Sequence, residues 1–99
     1  MVVNHKQIKA ALARAERKLA PDVLRIRYSM EEDWMGIPSV FFRVLLRNEA
    51  SRGSRLREIV LRSQEVVTNE VKPRQFAERS YFDWRNASEQ AELKEEAWN

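Results

Sequence analysis

Apolar residues recur at the spacing of an amphipathic helix in two segments of the chain. In residues 5–19 the stripe follows Asn4, a residue type that caps helices, and it ends before a proline. The second stripe starts within residues 48–54 and ends at Pro73. The apolar positions are Ile8, Leu12, Ala15 and Leu19 in the first segment, and Leu56, Ile59, Val60, Val67 and Val71 in the second. The pattern predicts two helices that each bury one face.

Apolar and polar residues alternate in two further segments, 23–30 and 39–47, which is the pattern of half-buried strands. The connection between them contains a glycine and a proline, so we expect a β-hairpin. For its register we take Met30 to lie opposite Val40. A third, aromatic segment at residues 81–85 reads as another strand.

The order α-β-β-α-β predicts an α+β fold, in which a small antiparallel sheet carries two helices on one face. We expect residues 1–99 to form a single domain. Residues from about 86 to 99 are expected to form a mobile acidic tail or a short helix capped by Asn86. Because three strands leave the other sheet face and both edges uncovered, we also expect a homodimer.

Charge is distributed unevenly along the chain. Residues 1–75 carry 15 Lys and Arg against 9 Asp and Glu, a net charge of +6, whereas residues 76–99 carry 3 against 6, a net charge of −3. A basic body with an acidic tail indicates either an anionic partner or a tail that folds back on the body.

Several chemical classes lack the residues that they need. The chain has no cysteine and His5 is its only histidine, so zinc or thiolate chemistry lacks ligands. Two glycines cannot form a phosphate-binding or dinucleotide-binding loop. No apolar run approaches the ~18 residues of a membrane span, and none follows the N-terminus as in an export signal. We therefore expect a cytoplasmic, non-enzymatic protein with no cofactor, no metal and no membrane partner.

The hairpin register places basic residues on the sheet face away from the helices. Arg27 lies opposite Arg43, a destabilising pair that Asp83 would offset if the third strand neighbours them. One interpretation is a solvated ladder of ion pairs. The functional alternative is a site for an anion or a partner, formed by Arg25, Arg27, Phe41, Arg43 and Arg47. Basic and aromatic residues on a sheet also hold single-stranded nucleic acid, although no signature of a known RNA-binding module is present.

The hairpin connection begins with three acids, Glu31, Glu32 and Asp33, followed by Trp34. Adjacent acids in a turn are most often a solvated tip. Magnesium binding or acid–base hydrolysis is the chemical alternative, and it lacks a phosphate-binding loop and a pocket of converging polar groups. Trp34 is a candidate partner contact, because tryptophans are favoured anchors at interfaces.

The acidic C-terminal segment contains several aromatic residues. Phe82 and Trp84 are expected to complete the core, with a solvated helix after them. The functional alternative is that Trp98 docks on a basic partner, or on the basic body of a second copy.

The sequence also resembles a group of small bacterial proteins to which no activity is assigned. The resemblance rests on a D-W-x-G-x-P motif before an F-F-R strand, and on a later S-E-Q-x-x-L-K motif. The matching residues are Asp33, Trp34, Gly36, Pro38, Phe41, Phe42, Arg43, Ser88, Glu89, Gln90, Leu93 and Lys94. It implies a bacterial source and carries no catalytic residue onto this chain.

Taken together, the residues predict a small interaction module that binds a protein partner, as an accessory or antitoxin-like subunit. The alternative is sequence-tolerant binding of nucleic acid through a basic sheet face.

Overall fold

The computed structural model describes residues 3–99 and confirms the α+β class and the element order. The helices and strands are α1 (His5–Leu19), β1 (Val23–Glu32), β2 (Pro38–Leu46), α2 (Ser54–Val71), β3 (Arg79–Asn86) and α3 (Ala87–Leu93). Single 3-10 turns occupy Asn48–Ser51, Pro73–Gln75 and Glu96–Trp98. Among the described residues no helix is long and apolar enough to cross a bilayer.

Local sequence signals explain where the helices begin. The Asn4 side chain accepts a hydrogen bond from the amide of Gln7, as the capping pattern predicts for α1. Asn86 and Glu89 form a complete capping box at α3, in which each side chain accepts from the other's backbone amide. The start of α2 at Ser54 follows Gly53, whose positive φ of 56° turns the chain into the helix.

The sheet has the strand order β1-β2-β3 and is mixed. β1 and β2 are antiparallel, and the predicted pairing of Met30 with Val40 is confirmed. β3 runs parallel to β2, so the prediction of a wholly antiparallel sheet is wrong in this detail. The physical reason is the connection: α2 crosses over the sheet between β2 and β3, and such a crossover returns the chain in the same direction.

Both long helices pack on one face of the sheet, as predicted. The stripe of α1 and residues Ile59, Val67 and Val71 of α2 are buried in one cluster with the strands. The strand residues in this cluster include Ile26, Val40, Phe42, Val44 and Leu46. Phe42 lies at its centre and is only 1% exposed.

Two predicted core positions are on the surface. Leu56, in the first turn of α2, is 39% exposed. Leu24 is 49% exposed, whereas its neighbour Val23 is buried. The pairing register shifts between Val23 and Arg25, and this irregularity interrupts the alternation that would have turned Leu24 toward the helices.

Of the alternatives for residues 86–99, the structure has the short helix capped by Asn86, followed by a segment that folds back on the body. After α3, the 3-10 turn Glu96–Trp98 packs against β1 and β2. Trp98 is 3% exposed, so the last residues belong to the folded domain.

Candidate interaction surface

The sheet face opposite the long helices carries the candidate site, and we call it the open face. Because side chains alternate along a strand, this face takes every second residue of β1, β2 and β3. The pairing register arranges them in rows across the sheet: Arg25, Leu45 and Arg85; Arg27, Arg43 and Asp83; Ser29, Phe41 and Tyr81; Glu31, Ser39 and Arg79.

Three aromatic side chains form a continuous strip on the open face. The rings of Phe41 and Tyr81 stack with centroids 5.1 Å apart. The indole of Trp34, from the hairpin loop, lies 5.3 Å from the ring of Tyr81. Trp34 is nevertheless 77% exposed, and the adjacent Met35 is 62% exposed. Phe41, Tyr81 and Trp34 are referred to below as the aromatic strip.

Asp33 fixes the loop that presents Trp34. Its Oδ1 accepts hydrogen bonds from the amides of Met35 and Ile37, at 2.9 and 3.0 Å. Its Oδ2 accepts from the Tyr81 hydroxyl at 2.8 Å and lies 3.6 Å from a guanidinium nitrogen of Arg79. The expectation of a solvated acidic tip is therefore wrong for Asp33, whose side chain is fully buried because these donors surround it.

The environment of Asp33 lowers the pKa of its carboxyl. Burial acts to raise the pKa, but the donors from Ile37, Tyr81 and Met35 and the charge of Arg79 outweigh it. The ionised form therefore stabilises the fold above the ordinary aspartate pKa of about 3.9, and this stabilisation is lost as the pH falls through the lower pKa of the folded state.

We predict that Asp33→Asn makes the thermal midpoint less dependent on pH between about pH 5 and pH 2. Differential scanning calorimetry across that range measures the slope. Glu31→Gln, which removes an exposed carboxylate from the neighbouring strand end, is the matched control. Equal slopes for the unaltered protein and Asp33→Asn would contradict the assignment of Asp33 as an ionised, hydrogen-bonded carboxylate.

Two of the predicted arginines lie on the exposed part of the open face. Arg27 and Arg43 are paired across the strands, as the hairpin register predicts. Asp83 of β3 lies opposite Arg43 in the strand register, on the side of β2 away from Arg27. It therefore does not lie between the two arginines. Their repulsion is offset elsewhere: Arg43 donates to Ser29 Oγ at 2.9 Å, and Arg27 lies 3.8 Å from the Glu16 carboxylate.

The folded tail covers the other end of the open face. Arg25 donates to the backbone oxygen of Trp98 at 2.9 Å, and Arg27 donates to that of Asn99 at 2.7 Å. The guanidinium of Arg85 stacks on the Trp98 ring, 4.4 Å from its centroid, and pairs with Glu95 at 2.8 Å. The indole of Trp98 is therefore buried against its own chain and is not exposed for the contact with a partner that the sequence suggested.

Arg47 does not join the cluster. It follows the end of β2, and its guanidinium contacts Asp22 at 3.0 Å. Arg55 of α2 contacts the same carboxylate at 3.0 Å. Asp22 thus ties the hairpin base to α2, and of the five residues predicted as an anion or partner site only Arg27, Phe41 and Arg43 share the exposed part of the open face.

The charges around the aromatic strip balance. In the three rows around the aromatic strip, together with Asp33 of the loop, three arginines face three carboxylates: Arg27, Arg43 and Arg79, and Glu31, Asp33 and Asp83. The remaining row of the open face carries Arg25 and Arg85, which the C-terminal segment engages. The basic excess of the body is carried instead by residues outside this patch, such as Lys6, Lys9 and Arg17 of α1, which are exposed. The local electrostatics are those of a neutral, aromatic surface.

The hairpin acids do not form a metal centre. Within residues 3–99, no three His, Cys, Asp or Glu side chains converge as metal ligands. Glu31 and Glu32 are exposed, whereas the oxygens of Asp33 are directed at protein donors.

Tyr81 and Arg79 are functional candidates that the sequence reasoning missed. The sequence predicts that Phe82 and Trp84 complete the core, and both do pack against it, but that prediction gives no role to Tyr81. The overlooked signal is strand alternation: if Phe82 and Trp84 face the helices, Tyr81 must face away from them. A parallel β3 beside β2 then places Tyr81 next to Phe41.

The geometry defines a class of protein: a small α+β domain with a mixed three-stranded sheet, helices on one face, and an aromatic patch on the other. Comparisons with protein-family models, curated proteins and solved structures find no match for the chain.

Proposed function

We propose that this protein is a non-enzymatic cytoplasmic interaction module, and that it binds another protein through the aromatic strip and the neighbouring Arg43. The observation that carries the proposal is Trp34, whose indole is 77% exposed on a loop that is held in place. Trp, Tyr, Met and Arg are the residue types enriched at the centres of protein interfaces.

The rigidity of the loop supports this proposal. The Asp33 amide donates to Ile37 O at 2.9 Å, and the Gly36 amide donates to Asp33 O at 2.9 Å. Gly36 has a φ of 75°, a conformation that glycine adopts without strain. An anchor that is already held in its position loses little conformational entropy on binding, so an exposed Trp34 costs less to immobilise than one on a mobile loop.

The balanced charge favours a protein over a nucleic acid. Single-stranded nucleic acids bind to aromatic platforms that lie in positively charged grooves, because phosphates must be neutralised. Here Asp83 pairs in register with Arg43, and Arg79 is engaged by Asp33. A protein partner that offers an apolar pocket for the Trp34 indole and a carboxylate for Arg43 therefore fits this surface better than a single-stranded nucleic acid does.

We also propose that the chain self-associates, since a three-stranded sheet leaves an unpaired edge at β3. Self-association and binding through Trp34 use different surfaces, so each is testable without the other.

Site-specific photocrosslinking tests the Trp34 proposal. We expect a benzoylphenylalanine at position 34 to form one discrete protein adduct in the native cell, identifiable by mass spectrometry. The same group at position 61 is the control, because Leu61 is 58% exposed but lies on α2, away from the open face. With the purified partner, Trp34→Ala should weaken binding by about thirtyfold, which corresponds to a hot-spot loss of about 2 kcal/mol.

Fluorescence anisotropy of mixed-sequence single-stranded RNA and DNA tests the nucleic-acid alternative. We expect no binding at physiological salt. Salt-sensitive binding that Arg27→Glu/Arg43→Glu abolishes would overturn the protein-binding proposal and make the open face a nucleic-acid site. A nuclease-sensitive adduct at position 34 would have the same meaning.

A further inference from the structure

The two edges of the sheet are treated differently by the fold. At the β1 edge, the carboxylate of Glu16 in α1 accepts a hydrogen bond from the Ile26 amide at 2.7 Å. The ring of His5, also in α1, is joined by a hydrogen bond to the Tyr28 hydroxyl. The helix therefore engages the Ile26 amide and the Tyr28 side chain at this edge, which protects this part of β1 from pairing with another chain.

The β3 edge lacks such a cover within the described residues. β3 pairs with β2 on one side, and from Arg79 to Arg85 no backbone group has a hydrogen-bond partner on the other side. A groove of about 260 Å³ runs beside the first half of the strand, between Pro73, Arg74 and Ser80. Phe82 and Trp84 are only half-buried on the helix side of this edge. An uncovered strand with partly exposed aromatic residues is a template for a further strand.

The residues of β3 select one way of pairing with a second copy. A two-fold axis normal to the sheet makes the strands antiparallel and keeps open-face residues opposite open-face residues. An axis at Tyr81 places Arg79 opposite Asp83 of the second copy, twice in the dimer. Opposite charges in directly facing positions stabilise a strand pair.

The neighbouring registers are less favourable. An axis at Phe82 places Arg79 opposite Arg85, and an axis at Asp83 places two aspartates opposite each other. Each of these registers therefore brings like charges into directly facing positions, which destabilises the strand pair. An axis at Trp84 would use Arg85, whose side chain is only 13% exposed because it is held by Glu95 and stacked on Trp98. Arg79 also contacts a carboxylate, that of Asp33 at 3.6 Å, but its side chain is 42% exposed and so remains accessible to a second copy. Asp83, by contrast, has no ion pair within residues 3–99, and it is exposed.

We infer that two copies of this chain pair through the β3 edges about an axis at Tyr81, forming a continuous six-stranded sheet. This inference rests on the self-association proposed above and does not depend on the Trp34 partner. In this dimer the two aromatic strips become one, because Tyr81 of one copy lies beside Tyr81 of the other and each is flanked by Phe41. The dimer therefore presents two Trp34 anchors on one face, and a two-fold symmetric or repetitive protein is the partner that both anchors can engage together.

Cysteine crosslinking tests the register, and the natural chain has no cysteine to interfere. Facing residues of an antiparallel pair have Cα atoms about 4.5–5.5 Å apart, within the range of a disulfide. We expect Tyr81→Cys to form an intermolecular disulfide under mild oxidation. Asp83→Cys is the matched control, since in this register its two copies are about 13 Å apart along the strands and do not crosslink. It is oxidised at a concentration at which sedimentation equilibrium shows the reduced Asp83→Cys protein to be dimeric, because the substitution also removes one partner of the Arg79–Asp83 pair.

Charge reversal tests the same pairing without altering the Tyr81 ring. In sedimentation equilibrium, Asp83→Lys should raise the dimer dissociation constant by about tenfold, because two attractive pairs become repulsive. Glu31→Lys makes the same change of charge on the same face at the protected edge, and it should leave the constant unchanged.

The outcomes separate the proposals. A chain that stays monomeric at millimolar concentration would overturn self-association and the register together, and would leave the Trp34 crosslink unaffected. A dimer that crosslinks through Asp83→Cys and not through Tyr81→Cys would overturn the register alone. Equal effects of Asp83→Lys and Glu31→Lys would exclude the Arg79–Asp83 pairing.

Discussion

Trp98→Ala lowers the free energy of unfolding by about 3 kcal/mol, the usual cost of removing a large buried aromatic side chain. Trp98 is 3% exposed although it is the penultimate residue. Its ring stacks on Arg85, and the turn that carries it packs over β1 and β2, where Leu45 is also buried. Removing the indole leaves a cavity beneath this turn and takes the stacked ring from Arg85, so the loss exceeds that of a surface contact.

Urea unfolding monitored by far-ultraviolet circular dichroism measures this loss. Trp34→Ala is the matched control, because it removes the same side chain from a position that is 77% exposed, and its cost should stay below about 1 kcal/mol. A Trp98→Ala protein as stable as the unaltered chain would show that the tail is attached only loosely. That result would also return the covered end of the open face, with Arg25 and Arg85, to the candidate site.

Phe42→Ala should lower the free energy of unfolding by about 4 kcal/mol, the largest loss that we expect from a single substitution in this domain. Phe42 is the largest of the fully buried side chains and lies at the centre of the cluster between the sheet and the helices. Its ring also contacts that of Phe82, with centroids 5.0 Å apart. The surrounding side chains belong to three strands and two helices, which cannot close the resulting cavity together.

Phe41→Ala on the same strand is the control for Phe42→Ala. Phe41 is half-buried on the open face, so its removal should cost only about 1 kcal/mol, from lost stacking on Tyr81 and partial burial. Chemical denaturation of the two variants compares the two faces of β2 directly. Equal losses at positions 41 and 42 would mean that both faces are covered, and would argue against an open face in solution.

The arrangement of the hairpin shows how far periodicity alone reaches. The alternation in β1 and β2 was sufficient to predict which face each side chain takes, and the register assumed with it, in which Arg27 lies opposite Arg43, is the observed one. It also predicted that Arg43 and Phe41 share the face away from the helices. Alternation carries this information because a register shift by one residue would move every apolar side chain to the wrong face. The basic character expected of that face was wrong around the aromatic strip, where carboxylates balance the arginines.

The neighbour and the direction of β3 could not be predicted from alternation. Its residues alternate as clearly as those of β1, but alternation within a strand contains no information about its neighbour or its direction. The crossover through α2 decides both, and it places Tyr81 beside Phe41 and above Asp33. Residues 48 positions apart in the sequence thereby share one hydrogen bond, which no local pattern predicts.

The C-terminal segment shows a second limit. The segment was expected to be a mobile tail, a short helix or a tail that folds back on the body, and composition could not separate these alternatives. The contacts of Trp98 with β1, β2 and Arg85 decide it, because burial of an indole and a paired guanidinium offset the entropy of ordering the tail.

The sequence by itself determined the two amphipathic helices, the hairpin with the face that each of its side chains takes, and the α+β class, because these follow from side-chain periods of 3.6 and 2.0 residues and from capping signals. Only the tertiary structure decided that the sheet is mixed, that the tail covers one end of the open face, and that Asp33 holds Trp34 beside Tyr81. These features depend on contacts between residues distant in the chain, whose formation depends on how whole elements pack together.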